Sequence, residues 1–460
     1  MDNLLETICA LSTAPGRSGI ALVRVSGLES FTILKKVFLP QKGDHPLAPR
    51  HATLGTIIDP VSGAELDEGL VTCFPAPNSY SGEDVVEISL HGSPVLVAAL
   101  LEGLCCKGAR LAEPGEFTLR GFLHGRMDLT QAEAVRDIIG ASTLFQAQIA
   151  ARQRSGTLAR RLAEVKKSLI DVVVQLESAV EFVEDDLALE SRETLADRLS
   201  GIQGKLRTWL ESFRRGHVIH DGFSMAIIGR PNVGKSSLFN ALLAQERSIV
   251  TEFPGTTRDL VSEVTSLEGI PVRLLDTAGI QKSGDPVEQL GVDRSYSAMA
   301  DADAILLVVD ISQGVTAEDE HLKESLGELS CMVVMNKADL PCAWAPDQKR
   351  EYAAGRPGVE VSAKTGLGIQ DLRSTIMKHL FGEPGLERDG VLVTNLRHYQ
   401  CIQAAERRLE TAAAALREGL SEEFVLFDLN GALKNLGAIT GEVDAEDILQ
   451  EIFSRFCIGK

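Results

Sequence analysis

"SMAIIGRPNVGKSSLFNALLA" (residues 224–244) decides how the middle of the chain folds. An apolar run ends in glycine, a polar loop follows, and a helix-like segment begins at once. Strand, loop and helix in that order are the context that Gly229-x4-Gly234-Lys235-Ser236 needs to cradle phosphates. The glycines let loop N–H groups, those of Val233 and Gly234 among them, curl around the anion. Lys235 reaches the outer phosphates, and the Ser236 hydroxyl is placed for Mg²⁺. With Ser237, the helix that follows adds its positive N-terminus.

Working outward, "VRLLDTAG" (272–279), "AILLVVD" (304–310), "CMVVMNKAD" (331–339) and "VEVSAK" (359–364) are apolar runs that end in polar or small residues. Most precede helix-like segments. This is the pattern of a parallel sheet covered by helices, with ligands at the carboxyl ends of the strands. Asp276 would help hold Mg²⁺, and the Thr277-Ala278-Gly279 turn would face the terminal phosphate. In "TEFPGTTRD" (251–259), Thr257 is placed to close over Mg²⁺ as a switch residue. "NKAD" selects the base. An Asp339 carboxylate accepts two parallel hydrogen bonds from guanine N1–H and N2, which adenine does not offer. Asn336 ties loops together, the Lys337 stem packs on the ring, and Ser362, Ala363 and Lys364 supply backbone N–H to guanine O6. GTP is the expected nucleotide.

One position departs from the common pattern. Many GTPases carry a water-orienting glutamine after Asp-x-x-Gly. Here Ile280 stands there, with Gln281 one place late. Asn232 offers a side-chain carbonyl near the outer phosphates. With carbonyls from a closed "TEFPGTT" loop it could cage a monovalent cation, in the place of an arginine finger worth ~10³–10⁵ in rate. Asp285, Glu288 and Asp293 are the acidic candidates for placing the water.

The flanks have other textures. Residues 1–120 are rich in Gly and Pro, with strand-like runs such as "GIALVRVSG" (19–27), and predict an α+β domain. Residues 121–215 turn helical. Leu158, Leu162, Val165, Leu169, Val172, Leu176, Ala179 and Val183 form one apolar stripe, the seam of a bundle or, alternatively, of a coiled coil. The α/β nucleotide domain is expected over 216–382, inserted into a helical domain that resumes over 383–460.

With 460 residues the chain has room for about two to four domains. No stretch approaches the ~20 apolar residues of a membrane span, and the start lacks a basic secretory signal. A cytoplasmic protein is expected. A net charge of −19 argues against general nucleic-acid coating, though not against a local basic site or RNA delivered by a basic partner. The 8 cysteines contain no Cys-x-x-Cys pair, and most are expected to be buried thiols. In the N-terminal region, loops bearing Arg17, Arg24, Glu87 and Arg126 could form a polar pocket or merely a surface ion pair.

These motifs, with "GTTRD" (255–259), the apolar residue after "DTAG", "APGRSGIALVRVSG" (14–27), "PNSYSGEDVVEISLHG" (77–92), "EPGEFTLRGFLHGRMDLTQAEA" (113–134) and the ending "FSRFCIGK" (453–460), resemble the MnmE (TrmE) family of tRNA-modification GTPases along the whole chain. The resemblance implies a homodimer with K⁺ held by Asn232, Thr251, Phe253 and Thr256, Mg²⁺ on Ser236 and Thr257, and Glu288 positioning the water. It implies an N-terminal domain like the folate-binding domain of glycine-cleavage T-protein, binding 5-formyltetrahydrofolate through Arg24, Glu87, Arg126 and Lys460, with Cys457 near the folate as a candidate catalytic thiol. Many relatives have lysine at the place of Arg126, and a fork is not a point charge. It further implies an FAD-containing MnmG-type partner and an aminomethyl-type addition at C5 of the wobble uridine. The rivals are a ribosome-assembly switch GTPase without modification chemistry and a dynamin-like membrane remodeller. The first would lack the folate-like region and the "CIGK" end. The second is disfavoured by the lack of a basic amphipathic surface helix.

Overall fold

A computed structural model of the chain describes residues 5–43, 46–181, 190–243, 262–276, 302–327, 329–381, 392–442, 449 and 452–460. In chain order it contains β1 (Ile8–Leu11), β2 (Ser18–Ser26), α1 (Ser30–Val37), β3 (Phe38–Pro40), β4 (Thr53–Ile58), β5 (Glu65–Phe74), β6 (Val85–Gly92), α2 (Pro94–Cys106), β7 (Arg110–Leu111), α3 (Glu116–Leu123) and α4 (Leu129–Gly140). Three helices follow, α5 (Leu144–Arg154), α6 (Thr157–Glu181) and α7 (Arg192–Asp221). Next come β8 (Phe223–Ile228), α8 (Lys235–Leu243), β9 (Ser262–Leu267), β10 (Ile270–Asp276), β11 (Ala304–Asp310), α9 (Ala317–Ser325), β12 (Cys331–Asn336), α10 (Pro346–Ala353), β13 (Gly358–Glu360) and α11 (Ile369–Phe381). Two helices, α12 (Leu396–Glu418) and α13 (Glu422–Thr440), complete the series. No helix among the described residues is long and apolar enough to cross a membrane.

The chain forms two compact units. The first joins Met1–Arg136, Arg152–Lys166 and Leu433–Lys460; the second joins Asp137–Ala151 and Lys167–Ala432.

The first unit is built on a seven-stranded sheet of order β3-β4-β5-β6-β2-β1-β7. Its strands pair antiparallel except β1 with β7. Alternation of side chains divides the sheet's two faces. Ala21, Val23 and Val25 of β2 and Val86, Ile88 and Leu90 of β6 pack on one face, beneath Ile33 and Val37 of α1 and Leu100 and Leu104 of α2. Ile8 and Ala10 of β1 point the other way, onto Phe117 and Tyr80. That second face carries the site described below.

The second unit holds a six-stranded sheet of order β13-β12-β11-β8-β10-β9, parallel but for the edge strand β9. Both faces are covered, so its central strands read as unbroken apolar runs rather than alternating ones. Met225, Ile227, Leu306, Val308, Met332 and Val334 enter one core; Ala226, Ile228, Ile305, Leu307, Val333 and Met335 enter the other. Elsewhere in this unit, α7 ends in a charged knot. His220 sits 3.2 Å from Asp137 and 2.5 Å from Asp221. Hydrogen bonds to Asp137 and then Asp221 outweigh burial and push its pKa up to about 10.

The α6 stripe is a buried seam. Leu158, Leu162, Val165, Leu169, Val172 and Leu176 are all shielded from solvent; Ala179 is half-buried, and Val183 lies outside the described residues. The cysteines are less buried than expected. All eight are free thiols, but only Cys9, Cys73 and Cys331 are buried, and Cys106, Cys342 and Cys457 are exposed. A thiol is small enough for amphipathic helices and turns to leave it on their outer edge at little cost.

Candidate functional site

The nucleotide residues converge at the carboxyl end of the second sheet. The loop 229–234 leaves β8, which lies between β10 and β11. A Cβ on Gly234 (φ +97°) would collide with Asn336 Nδ2, so only glycine allows this approach. Asn336 is buried, donates to the Val233 carbonyl (2.8 Å) and accepts from the Ala363 amide (3.0 Å). One side chain therefore fastens the phosphate loop, the "NKAD" turn and the "SAK" turn together. Ser362 Oγ donates to Asp339 Oδ1 (2.6 Å), and this bond first among several causes holds the exposed carboxyl below its usual pKa. Asp339 stays ionised and aimed. The Lys337 ammonium is pinned by the buried Asp310 (2.7 Å), a contact the motif alone did not reveal. Lys235 Nζ arches back to the carbonyls of Gly229 (2.7 Å) and Arg230 (3.0 Å). Ser236 and Ser237 are exposed on the first turn of α8, and Asn232 is exposed at φ +65°. The backbone of Asp276 ends β10 opposite Ile227, beside the phosphate loop's own strand. Thr251, Phe253, Thr256, Thr257, Thr277, Ala278, Gly279, Gln281, Asp285, Glu288 and Asp293 lie outside the described residues.

A second cluster lies in the first unit. Arg24 and Glu87 are on strands, not on loops as expected, and face each other across β2 and β6. Alternation leaves both on the face away from α1 and α2, which is why a strongly apolar strand carries an arginine. Arg24 Nε (3.1 Å) and Nη2 (2.8 Å) both donate to Glu87 Oε1. The guanidinium lies 5.1 Å from the Tyr80 ring and 5.6 Å from that of Phe117. Its Nη1 is buried with no hydrogen-bond partner among the described residues. Such a donor is costly unless something accepts from it.

The chain's last residues reach this face. Phe453 and Phe456 are buried against Phe122 and Leu129. The Gly115 amide meets the Cys457 carbonyl (3.5 Å), and Ser12 Oγ donates to the Gly459 carbonyl (3.0 Å). Gly459 has φ +93°, and a Cβ there would collide with the Leu11 carbonyl. Burial, and then the charge of Arg24, lower the Lys460 pKa, while Glu87 and Cys457 oppose the shift. Arg24, Glu87, Cys457 and Lys460 thus share one electrostatic neighbourhood. Arg126 adjoins it at one remove, its Nε donating to the Ser79 carbonyl (3.2 Å) beside Tyr80. Arg17 is exposed and joins no described contact.

Sequence reasoning missed Tyr80 and Phe117, the rings under Arg24. It also missed the buried network of Arg120 with Glu83 and Glu116, in which Glu83 holds Ser26 on β2. Their signal was present: "SYSGED" and "EFTLRG" set aromatic and charged residues inside otherwise structural runs.

A parallel sheet with a glycine-rich phosphate loop on a central strand, and an Asn-Lys-x-Asp turn tied to that loop, defines a P-loop GTPase. Family models described as "MnmE helical domain" and "GTP-binding protein TrmE N-terminus" match residues 129–457 and 7–126. The tRNA modification GTPase MnmE of Koribacter versatilis (strain Ellin345) is 46% identical over 462 residues, covering 100% of both chains. That of Aquifex aeolicus (strain VF5) is 41% identical over 456 residues, covering 99% of this chain and 100% of its own. Among solved structures, an Aquifex aeolicus Era variant bound to GDP and AlF4⁻ is 30% identical and covers 40% of this chain and 66% of its own, with a TM-score of 0.28. The chain belongs to the MnmE family of tRNA modification GTPases. GTP is its nucleotide, and it hydrolyses GTP in the service of tRNA modification.

Proposed function

We propose that this GTPase is a K⁺-dependent homodimer that works in the cytoplasm. With an FAD-containing MnmG-type partner, it would install an aminomethyl-type group at C5 of the wobble uridine, using a one-carbon unit from 5-formyltetrahydrofolate. Its working parts would be residues 1–120 for folate and dimerisation, 216–382 for GTP, and the helical segments 121–215 and 383–460. Arg24, Glu87, Arg126 and Lys460 would hold the folate. The observation that carries this reading is the buried Arg24 Nη1, a donor lacking an acceptor, on the face where Lys460 and Cys457 arrive. A pterin or carboxylate oxygen is the kind of acceptor it lacks. Bound folate supplies the carbon; the protein's share is to orient it and keep water away. Cys457 is exposed, so its thiol is open to a reacting carbon.

At the nucleotide, Mg²⁺ would be held by Ser236 and Thr257, and K⁺ by Asn232, Thr251, Phe253 and Thr256. Ser236 and Asn232 fit that role: both are exposed, and neither side chain has a protein hydrogen-bond partner among the described residues. These cations supply positive charge around the phosphates where Ile280 supplies none. Glu288 would orient the attacking water. Val233, Gly234, Lys235 and Ser237 would bind the phosphates. The 276–279 turn would sense the third phosphate, and Asn336, Lys337, Asp339, Ser362 and Ala363 would bind guanine.

Nucleoside analysis of tRNA from cells lacking this protein tests the reading. Loss of the C5 substituent from wobble uridines is expected. An unchanged nucleoside profile, with calorimetry showing no folate binding to the full chain, overturns it in favour of a switch GTPase without modification chemistry.

A further inference from the structure

In the first unit, two successive residues each accept from an arginine of a different segment, and the next feels the charge of a third. Arg50, after β3, donates from Nη2 to the Asn78 carbonyl (2.6 Å). Arg126, after α3, donates to the Ser79 carbonyl (3.2 Å). Arg154, at the end of α5, lies close enough for its charge to act on the Tyr80 phenol. A fourth, Arg160, belongs to the same surface: Gln131 Nε2 donates to the Arg154 carbonyl (3.0 Å), and a Cβ on Gly156 would touch both Gln131 and Arg160. Arg160 itself donates only to the Ser155 carbonyl and Thr157 Oγ1. All four arginines are exposed, and among the described residues none meets a carboxylate. Asp128, the acid of the same turn, is taken up by Thr130 Oγ1 and the Gln131 amide.

Other arginines of this acidic chain, Arg198, Arg207 and Arg417 among them, each face a carboxylate. Four exposed arginines without one, on neighbouring segments of one unit, would let a polyanion approach despite the overall negative charge. Backbone carbonyls already orient three of the forks. Their remaining N–H groups belong to exposed residues, and a planar guanidinium fork suits phosphate. A folate tail with its two carboxylates would occupy one or two such forks. A phosphodiester chain, with a charge at every residue, would occupy all of them.

We propose that Arg50, Arg154 and Arg160, beside the folate-assigned Arg126, form the surface on which the tRNA phosphate backbone lies while its target base reaches the Arg24–Glu87 face. The inference rests on the tRNA reading above and gives it a location. Each phosphate contact contributes about 0.7–0.9 to the slope of log affinity against log salt. The triple variant Arg50→Gln, Arg154→Gln, Arg160→Gln should therefore lower that slope by about 2–3. The probe is an unmodified tRNA transcript bearing a wobble uridine, titrated into the full-length protein between about 50 and 200 mM salt. The control removes the same charge from ion-paired positions: Arg198→Gln, Arg207→Gln, Arg417→Gln. Its slope should stay at the wild-type value, and GTP turnover reports folding for both.

Equal slopes in the two triple variants overturn the proposal, because net charge alone would then explain binding. If the wild-type protein does not bind the transcript at all, the tRNA reading itself fails and takes the surface with it. A third result also overturns it: an unchanged slope while triglutamyl 5-formyltetrahydrofolate loses its advantage over the monoglutamate. The arginines would then serve the folate tail.

Discussion

Arg24 and Glu87 stand directly opposite each other on adjacent strands, and the guanidinium spends two of its donors on a single oxygen, Glu87 Oε1. The pair is mostly buried, with side-chain exposures of 11% and 25%. Such a pair is a poor source of stability for its own sake, because desolvation offsets attraction. It makes sense as a preset fork whose third nitrogen awaits an acceptor. Arg24→Lys keeps the charge but cannot hold Glu87 and reach a ligand at once. We expect folate affinity to drop about tenfold or more by calorimetry, while GTP turnover stays within about twofold of wild type. Unchanged folate affinity would make the pair purely structural.

Gly459→Ala tests the docking of the tail. The added methyl would run into the Leu11 carbonyl, in a backbone conformation that disfavours any side chain. The tail should lift, exposing Lys460 to solvent and carrying Cys457 away from the Arg24 face. tRNA modification should fall by about an order of magnitude or more, because backbone strain at this position displaces the last turn, while GTP hydrolysis persists. Parallel loss of both activities would show that the tail supports the whole fold.

Asp339→Asn tests the guanine selector. An amide cannot accept both guanine donors, and its N–H₂ faces one of them. Each charge-assisted bond is worth about 1.5–3 kcal/mol, so GTP affinity should fall by about a hundredfold or more. Xanthosine triphosphate, whose C2 oxygen accepts from that N–H₂, should then outcompete GTP in a displacement assay.

The His220 knot gives stability a pH dependence. Its folded pKa, about 10, lies above the ordinary imidazole value of about 6.5. Its contribution is therefore complete below about pH 6.5 and is lost as pH rises through about 10. Denaturant melts of wild type and His220→Asn should differ most near pH 6, by up to about 4–5 kcal/mol, and converge toward pH 10. A gap that widens with pH would reverse the assignment of charge.

Turnover should depend on the cation. K⁺ should raise hydrolysis at least about tenfold over Na⁺ at equal ionic strength, a modest fraction of what an arginine finger supplies. Glu288→Ala should slow turnover and leave GTP affinity near normal. Equal rates in the two salts would remove the cation from the account.

The sequence alone located the described motifs of the candidate nucleotide site. Each of its motifs is a few consecutive residues at one strand end, and a parallel sheet brings strand ends together whatever the loops do. Gly229, Lys235, Asn336 and Asp339 are assignable from short windows of residues, and so is the α6 seam, because helical periodicity is a local property. Only the tertiary structure showed the contacts of the other face. The resemblance grouped Arg24 and Glu87, but the residues alone did not show the pleat setting them side by side, nor Arg50 and Arg126 meeting the Asn78 and Ser79 carbonyls. Lys460 reaches Arg24 from the far end of the chain because Phe453 and Phe456 bury themselves beside Phe122. Contacts of that kind are set by long-range packing, and no local stretch of residues encodes them.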